Sequence, residues 1–239
     1  MIASGGPVIP NFGSAPSCVT ENKAFCWSWV KDHWGDTLQP ALVSHIELTA
    51  VAIVVGTTLA LGLALFAHRR RRAEQPISIV SALIYTFPSI ALFQLLVPIT
   101  GLTNTTIVLP LTAYTLVILF PNFIAGLDAA PPEVLEAARG MGLTRNQILR
   151  RVELPLALPS MIGGLRIAVV STIAIATIAA TISEQTLGYP IFYAIELPTP
   201  FKTEIYSAGF LAIALALVCD GLLILVGRAV TPWTRAATG

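Results

Sequence analysis

Apolar residues run in long blocks here, and charged residues gather between them. The longest block begins at Gln75: 53 residues, to Leu127, contain no Asp, Glu, Lys or Arg. Crossing a hydrocarbon core takes ~20 residues at ~1.5 Å each, so this block predicts two spans joined by a turn. TGLTNTT, Thr100 to Thr106, has the Gly, Asn and Thr such a turn uses. Ahead of it, Leu48 to Ala67 is an uncharged run stopped by HRRRR at His68 to Arg72. Beyond it, Ser160 to Ser183 is interrupted only by Arg166, and Ile205 to Val226 only by Asp220. The pattern predicts an all-α polytopic membrane protein of about five transmembrane helices. It divides into a polar N-terminal segment, 1–43, a transmembrane domain, 44–230, with one long polar loop at 128–159, and a short tail, 231–239.

Composition narrows the class. Of 239 residues 55% are hydrophobic and 11% charged, where a soluble domain carries about 25% charged. That excludes most soluble folds and disordered tails, and a net charge of +1 leaves no field for nucleic acid. Basic residues set an orientation. With the arginine cluster inside, that side holds Arg69, Arg70, Arg71, Arg72, Arg139, Arg145, Arg150, Arg151, Arg228 and Arg235, with Arg166 close by; only Lys23, Lys31 and Lys202 lie opposite. The N-terminus is therefore expected outside and the C-terminus in the cytoplasm. The loop-like opening MIASGGPVIPNFGSAPS lacks a cleavable signal's pattern, so the first span is expected to be retained. NKAFCWSWVKDHW reads as an outer interfacial helix with Trp27, Trp29 and Trp34 at headgroup level. Cys18 and Cys26 share the oxidising side and are either bridged or free; Cys219 has no partner.

The loop between the third and fourth spans can be read closely. Pro131 and Pro132 preset a first helical turn, Glu133 suits its positive end, and Gly140 and Gly142 supply the stop. Thr144 to Gln147 has capping-box form and starts a second helix, through Ile148, Leu149 and Val152, that Pro155 is expected to end. A DNA-binding helix-turn-helix does not fit helices this short, tethered to a bilayer at both ends. A loop lying on anionic headgroups through Arg145, Arg150 and Arg151 leaves the small residues Ala137, Ala138, Gly140 and Gly142 without a purpose. They would let a partner approach the backbone.

These residues carry a resemblance. Glu136-Ala137-Ala138, three residues, Gly142, nine residues and Val152-Glu153-Leu154-Pro155 resemble the EAA signature of ABC-importer permeases, with Val152 where Ile is usual. From about His45 onward the chain is similar to permease subunits of osmoprotectant importers, carried also by IYTFPSIALFQLLVPITGL and the small-residue fourth span. It departs at Ser183 to Gly188, where such permeases have a glycine-rich turn, and in the N-terminal segment. The resemblance implies a MetI-like permease fold in a bacterial cytoplasmic membrane, importing glycine betaine, choline or carnitine. It implies a coupling helix, with Glu136, Ala137, Ala138, Gly140, Gly142, Leu154 and Pro155, that docks on a cytoplasmic ATP-binding subunit. Its other implied partners are an extracytoplasmic solute-binding protein and a second permease chain, identical or related.

The chain has no G-x-x-x-x-G-K-[ST] site, so ATP is expected on another polypeptide and no cofactor, metal or catalytic residue on this one. His45 and His68 read as interface residues. Gly56, Gly62, Gly163 and Gly164 allow close helix contact, and Pro88, Pro98, Pro110 and Pro121 either permit bends that an alternating-access pore uses or mark span ends and static kinks, the latter preferred for Pro98 and Pro110. Asp220 is expected to pair with Arg166 or Arg228; direct contact of Asp220 with a cationic solute is the other reading. Tyr85, Phe87, Phe93, Tyr114, Phe120 and Phe123 could line a path for a methylated ammonium or simply pack. An amino-acid permease, an ATP-independent secondary transporter or channel, and a membrane scaffold remain open.

Overall fold

Two long helices share a seam that repeats every four residues. The structure, a computed structural model, describes residues 16–235, with side chains up to Trp233. Its helices are α1 Ser17–Thr20, α2 Trp27–Asp32, α3 Gln39–Arg69, α4 Glu74–Thr86, α5 Ser89–Thr100, α6 Asn104–Leu127, α7 Pro132–Gly140, α8 Arg145–Ile148, α9 Leu154–Ile178, α10 Gly188–Glu196 and α11 Lys202–Val230. On α3, Leu48, Ala52, Gly56, Ala60 and Ala64 are buried. On α6, Ile107, Leu111, Thr115, Leu119 and Phe123 are buried. Residues four apart lie on one helix face, and small ones let two backbones close up in lipid, where no hydrophobic effect drives helices together. A Cβ added at Gly56 would lie 2.7 Å from the Thr115 Cγ2.

The pairing fixes the topology. Leu48 and Ala52 cluster with Ile107 and Leu111, while Ala60, Ala64 and Ala67 cluster with Leu119, Phe123 and Leu127, so α3 and α6 run parallel. The chain between them must return across the bilayer. It does so through α4 and α5, a pair bent by 95°. Phe87 is extended at φ −71°, ψ 131°, as the residue before a proline tends to be, and Pro88 opens α5. With α3, α6, α9 and α11 each long and apolar enough to cross, the bent pair makes five spans. α6 and α9 are antiparallel: a Cβ at Gly126 would meet Ala157, and one at Gly164 would meet Asn122 at 2.5 Å. Gly62 and Gly163 have no atom of this chain within 4 Å of an added Cβ.

Several boundaries differ from those expected. The first span begins before Leu48, because a wide π turn at Trp34–Leu38 leads directly into α3, and position 43 lies inside that helix. Pro155 does not end the second loop helix. A wide π turn at Leu149–Glu153 joins α8 to α9, and Pro155 falls in the first turn of α9, directly after the widened turn that makes room for its ring. One helical run therefore extends over Arg145–Thr181. Pro110 and Pro121 lie inside α6, and Pro98 inside α5. The outer helix is only Trp27–Asp32, with Trp29 buried against Phe201 and Trp27 exposed.

At the end opposite the arginines, Cys18 and Cys26 are bridged, their Cα atoms 5.5 Å apart. Asn22 clamps the loop before α11: its Nδ2 donates to Pro200 O at 2.8 Å and its Oδ1 accepts from Lys202 N at 2.9 Å. His45 is fully buried rather than interfacial. Leu187 N–H donates to its Nδ1, so Nε2 carries the proton and donates to Ile173 O. That bond ties α3 to α9 and to the turn Ser183 to Gly188.

Within that turn a Cβ on Gly188 would lie 1.7 Å from Thr177 O, a clash with backbone that side-chain movement cannot relieve. Gly188→Ala should therefore destabilise the protein by about 1–3 kcal/mol or more, read as a lower melting temperature in detergent. Gly209→Ala, with nothing within 4 Å of its Cβ, should leave that temperature unchanged.

Candidate functional site

The polar loop is built on α7. Pro131 precedes it with extended ψ of 140° and Pro132 opens it. Its far end is a Schellman closure: Gly142 N–H donates to Arg139 O at 2.9 Å and Leu143 N–H to Ala138 O at 3.2 Å. Gly142 takes φ +79°, which glycine adopts at little cost. No atom lies within 4 Å of a Cβ at Gly140 or Gly142, so at Gly140 the chain's own packing does not demand glycine. Ala138 is buried against its own loop, whereas Glu136, Ala137, Gly140 and Gly142 are exposed. The small side chain of Ala138 serves internal packing, contrary to the expectation that a partner meets it.

Two residues unremarked in the sequence complete the exposed surface. Val134 is 42% and Met141 73% exposed, and with Ala137 they lie at i, i+3 and i+7 on one helical face. That spacing was the available signal. Leu154 and Pro155 are half-buried in the first turn of α9, beyond the π turn, and do not share this surface.

The loop's base is fastened by the end of α3. His68 Nδ1 lies 3.0 Å from Asp128 Oδ1 and Nε2 lies 3.1 Å from Glu153 Oε2; both bonds form when both nitrogens carry protons. Arg71 makes a two-pronged bond to Asp128, with Nη2 donating to Oδ1 at 2.7 Å. Burial pushes the Asp128 carboxyl up, but the Arg71 hydrogen bond and charge, helped by His68, outweigh it and hold the group below its ordinary value. Arg69 Nη2 donates to Asn146 Oδ1 at 2.9 Å, and Arg145 Nη2 returns a bond to Arg69 O at 3.1 Å. A cavity of about 510 Å³ lies between this base and α7, lined in part by Arg139, Leu135 and Leu143. Read in sequence as a topology marker, the cluster from His68 to Arg71 is also what positions the loop.

Within the spans, Arg166 and Asp220 form a two-pronged ion pair, Nε to Oδ1 at 2.7 Å and Nη2 to Oδ2 at 3.0 Å. It joins α9 to α11 and opens on a cavity of about 720 Å³ that Asn122, Ser160 and Ser171 also line. Of the six aromatics considered for a path, Phe93, Tyr114, Phe120 and Phe123 are buried, and only Tyr85 and Phe87 are exposed. Among the described residues no three His, Cys, Asp or Glu side chains group to hold a metal.

Residues 52–235 match the family described as "Binding-protein-dependent transport system inner membrane component". The osmoprotectant import permease protein OsmW of Salmonella typhimurium is 38% identical over 194 residues, covering 79% of this chain and 89% of that protein. The carnitine transport permease protein OpuCD of Listeria monocytogenes is 30% identical, covering 79% and 84%. The choline transport system permease protein OpuBB of Bacillus subtilis is 29% identical, covering 79% and 86%. In three dimensions the chain is similar to one in the inward-facing MetNI methionine ABC transporter, with a TM-score of 0.72 over 81% of this chain and 96% of that one at 21% identity. This likeness gives the fold, the MetI-like one expected, and the spans make the chain a multi-pass membrane protein. The chain belongs to the family of binding-protein-dependent transport system inner membrane components.

Proposed function

We propose that this chain is the permease subunit of an ATP-driven importer that carries compatible solutes such as glycine betaine, choline or carnitine across the bacterial cytoplasmic membrane. The observation that carries the reading is the loop at α7. Its exposed surface of Val134, Glu136, Ala137, Gly140, Met141 and Gly142 is presented on a base anchored to the end of α3. A partner pressing on this surface moves the α6 and α9 ends that Asp128 and Glu153 hold, which is what coupling requires. The substrate class is supported by the relatives OsmW, OpuBB and OpuCD, which are an osmoprotectant, a choline and a carnitine permease.

In this reading the arginine-rich end faces the cytoplasm and the disulfide-bridged end faces outside, in keeping with the basic-residue bias and with a bridge in an oxidising space. The ATP-binding subunit docks on α7, binds the nucleotide and does the hydrolysis; this chain is no enzyme and holds no cofactor. A solute-binding protein docks at the opposite end. A second permease chain completes the path. The partly exposed Arg166–Asp220 pair acts as a structural tie between α9 and α11.

Reconstitution with the ATPase and binding protein tests the assignment. ATP turnover should rise with a betaine, choline or carnitine and not with unrelated amino acids. Gly142→Asp, which forces a side chain onto a φ of +79°, should lower uptake at least tenfold while leaving membrane assembly intact. Normal uptake by that variant would sink the coupling role.

The structural tie has its own check. Asp220→Arg or Arg166→Asp alone should reduce the yield of folded protein, and the double exchange should restore it; an exchange that restores nothing overturns the pairing as the reason for both residues.

Asp128 links the loop base to pH. Because its folded-state value is lowered, its contribution is present above the ordinary carboxylate range, near about pH 4, and is lost as pH falls through the lowered value. Asp128→Asn should cost about 1 kcal/mol or less near neutral pH after solvent screening. It should also flatten the acid limb of stability against pH in detergent.

A further inference from the structure

The broken second span carries an inference beyond coupling. Its break lies near mid-membrane: Tyr114, the eleventh residue of the 24 in α6, donates its hydroxyl to Phe87 O, ~15 Å from the start of that helix. A continuous helix would satisfy the last carbonyls of α4, but Pro88 has no N–H and α5 turns away by 95°. Replacement bonds reach Leu83 O from Thr86 Oγ1, Ile84 O from Phe87 N, and Phe87 O from Tyr114. Among the hydrogen bonds of the described residues none reaches the carbonyls of Tyr85 and Thr86. Irregular backbone at this depth persists only where protein buries it or water reaches it. The flanking side chains are not buried, since Tyr85 is 65% and Phe87 50% exposed. Within this chain, then, protein does not cover the break on that side.

We propose that this break is a binding station on the translocation path for a quaternary ammonium group. The rings of Tyr85 and Phe87 supply the cation–π faces and the carbonyl end of α4 supplies negative potential. The chemistry is complementary: a methylated ammonium has no N–H to donate, so it is held by aromatic faces and dipoles rather than by hydrogen bonds, and a helix C-terminus carries partial negative charge. A bare carboxylate is not required, and none of the 53 residues from Gln75 to Leu127 supplies one. The substrate class rests on the importer reading above; the exposed, aromatic-flanked break is read from the structure.

The test uses the full assembly in vesicles of phosphatidylethanolamine and phosphatidylglycerol, which removes choline headgroups as a source of the same cation. With Cys219→Ser as background, Tyr85→Cys and Phe87→Cys are treated with 2-(trimethylammonium)ethyl methanethiosulfonate, itself a quaternary ammonium. Labelling that millimolar choline slows is the expected result; absence of labelling, as for a lipid-facing thiol, or labelling indifferent to choline overturns the proposal. In uptake, the Tyr85→Leu and Phe87→Leu pair should lose about tenfold with assembly of the complex in the vesicles unchanged, and Tyr85→Phe should stay within about twofold. Unchanged uptake by the leucine pair also overturns it. Should the wild type import none of these solutes, the importer reading fails, and the station then stands or falls by the choline-protected labelling.

Discussion

The seam between α3 and α6 is the contact on which the remaining architecture depends. Small residues every four positions on one helix face larger ones every four on the other, and the two helices close up in parallel. Parallel neighbours need a crossing between them. The chain supplies it with a span interrupted at Phe87 and Pro88, so the most irregular element of the fold follows from its most regular contact. Thr115 joins the two levels: its methyl fills the space at Gly56, and its hydroxyl, which donates to Leu111 O, accepts from Thr172 on α9.

A histidine near each end of α3 ties that seam to α9. At one end His45 bonds Ile173 O and Leu187 N; at the other His68 lies between Asp128 and Glu153. The two sites use different chemistry. His45 is enclosed and uses one donor and one acceptor, so it needs no charge. His68, at the arginine-rich end, lies between two carboxylates and turns one ring nitrogen toward each. α3, α6 and α9 therefore form a unit fastened at both ends, and the α7 loop hangs from its lower edge.

Much of this was legible in sequence because bilayers impose simple rules. Charge-free length predicted the spans, basic residues marked one end, and proline and glycine placed α7 and its Schellman closure. What escaped has physical reasons too. Pro155 read as a stop because a proline clashes in a regular helix interior, yet a widened turn at Leu149–Glu153 absorbs it and lets α8 continue into α9. His45 and His68 read as interfacial because their partners are 128 and 85 positions away in sequence, and a lone histidine carries no spacing signal. Val134 and Met141 did carry a spacing signal, at i and i+7 with Ala137 between them, but two apolar side chains in so short a helix do not by themselves show which face is exposed.

Given the fastened unit, the elements left to move can be identified. α11 has none of its most apolar window buried, and its side-chain ties include the Arg166–Asp220 pair and the outer clamp at Asn22. The α4–α5 pair is held by the Tyr114 bond at its break and by Arg71 and Glu74 near its inner end. Asp128 bonds both Arg71 and His68, so a displacement of the α7 loop pulls on the start of α4 as well as on α3. In the proposed coupling the fastened α3–α6–α9 unit would pass that pull on, and a bend already present at Phe87 and Pro88 is where a helix yields at least cost. On that proposal, force applied at the loop would thus be delivered to the break in the second span.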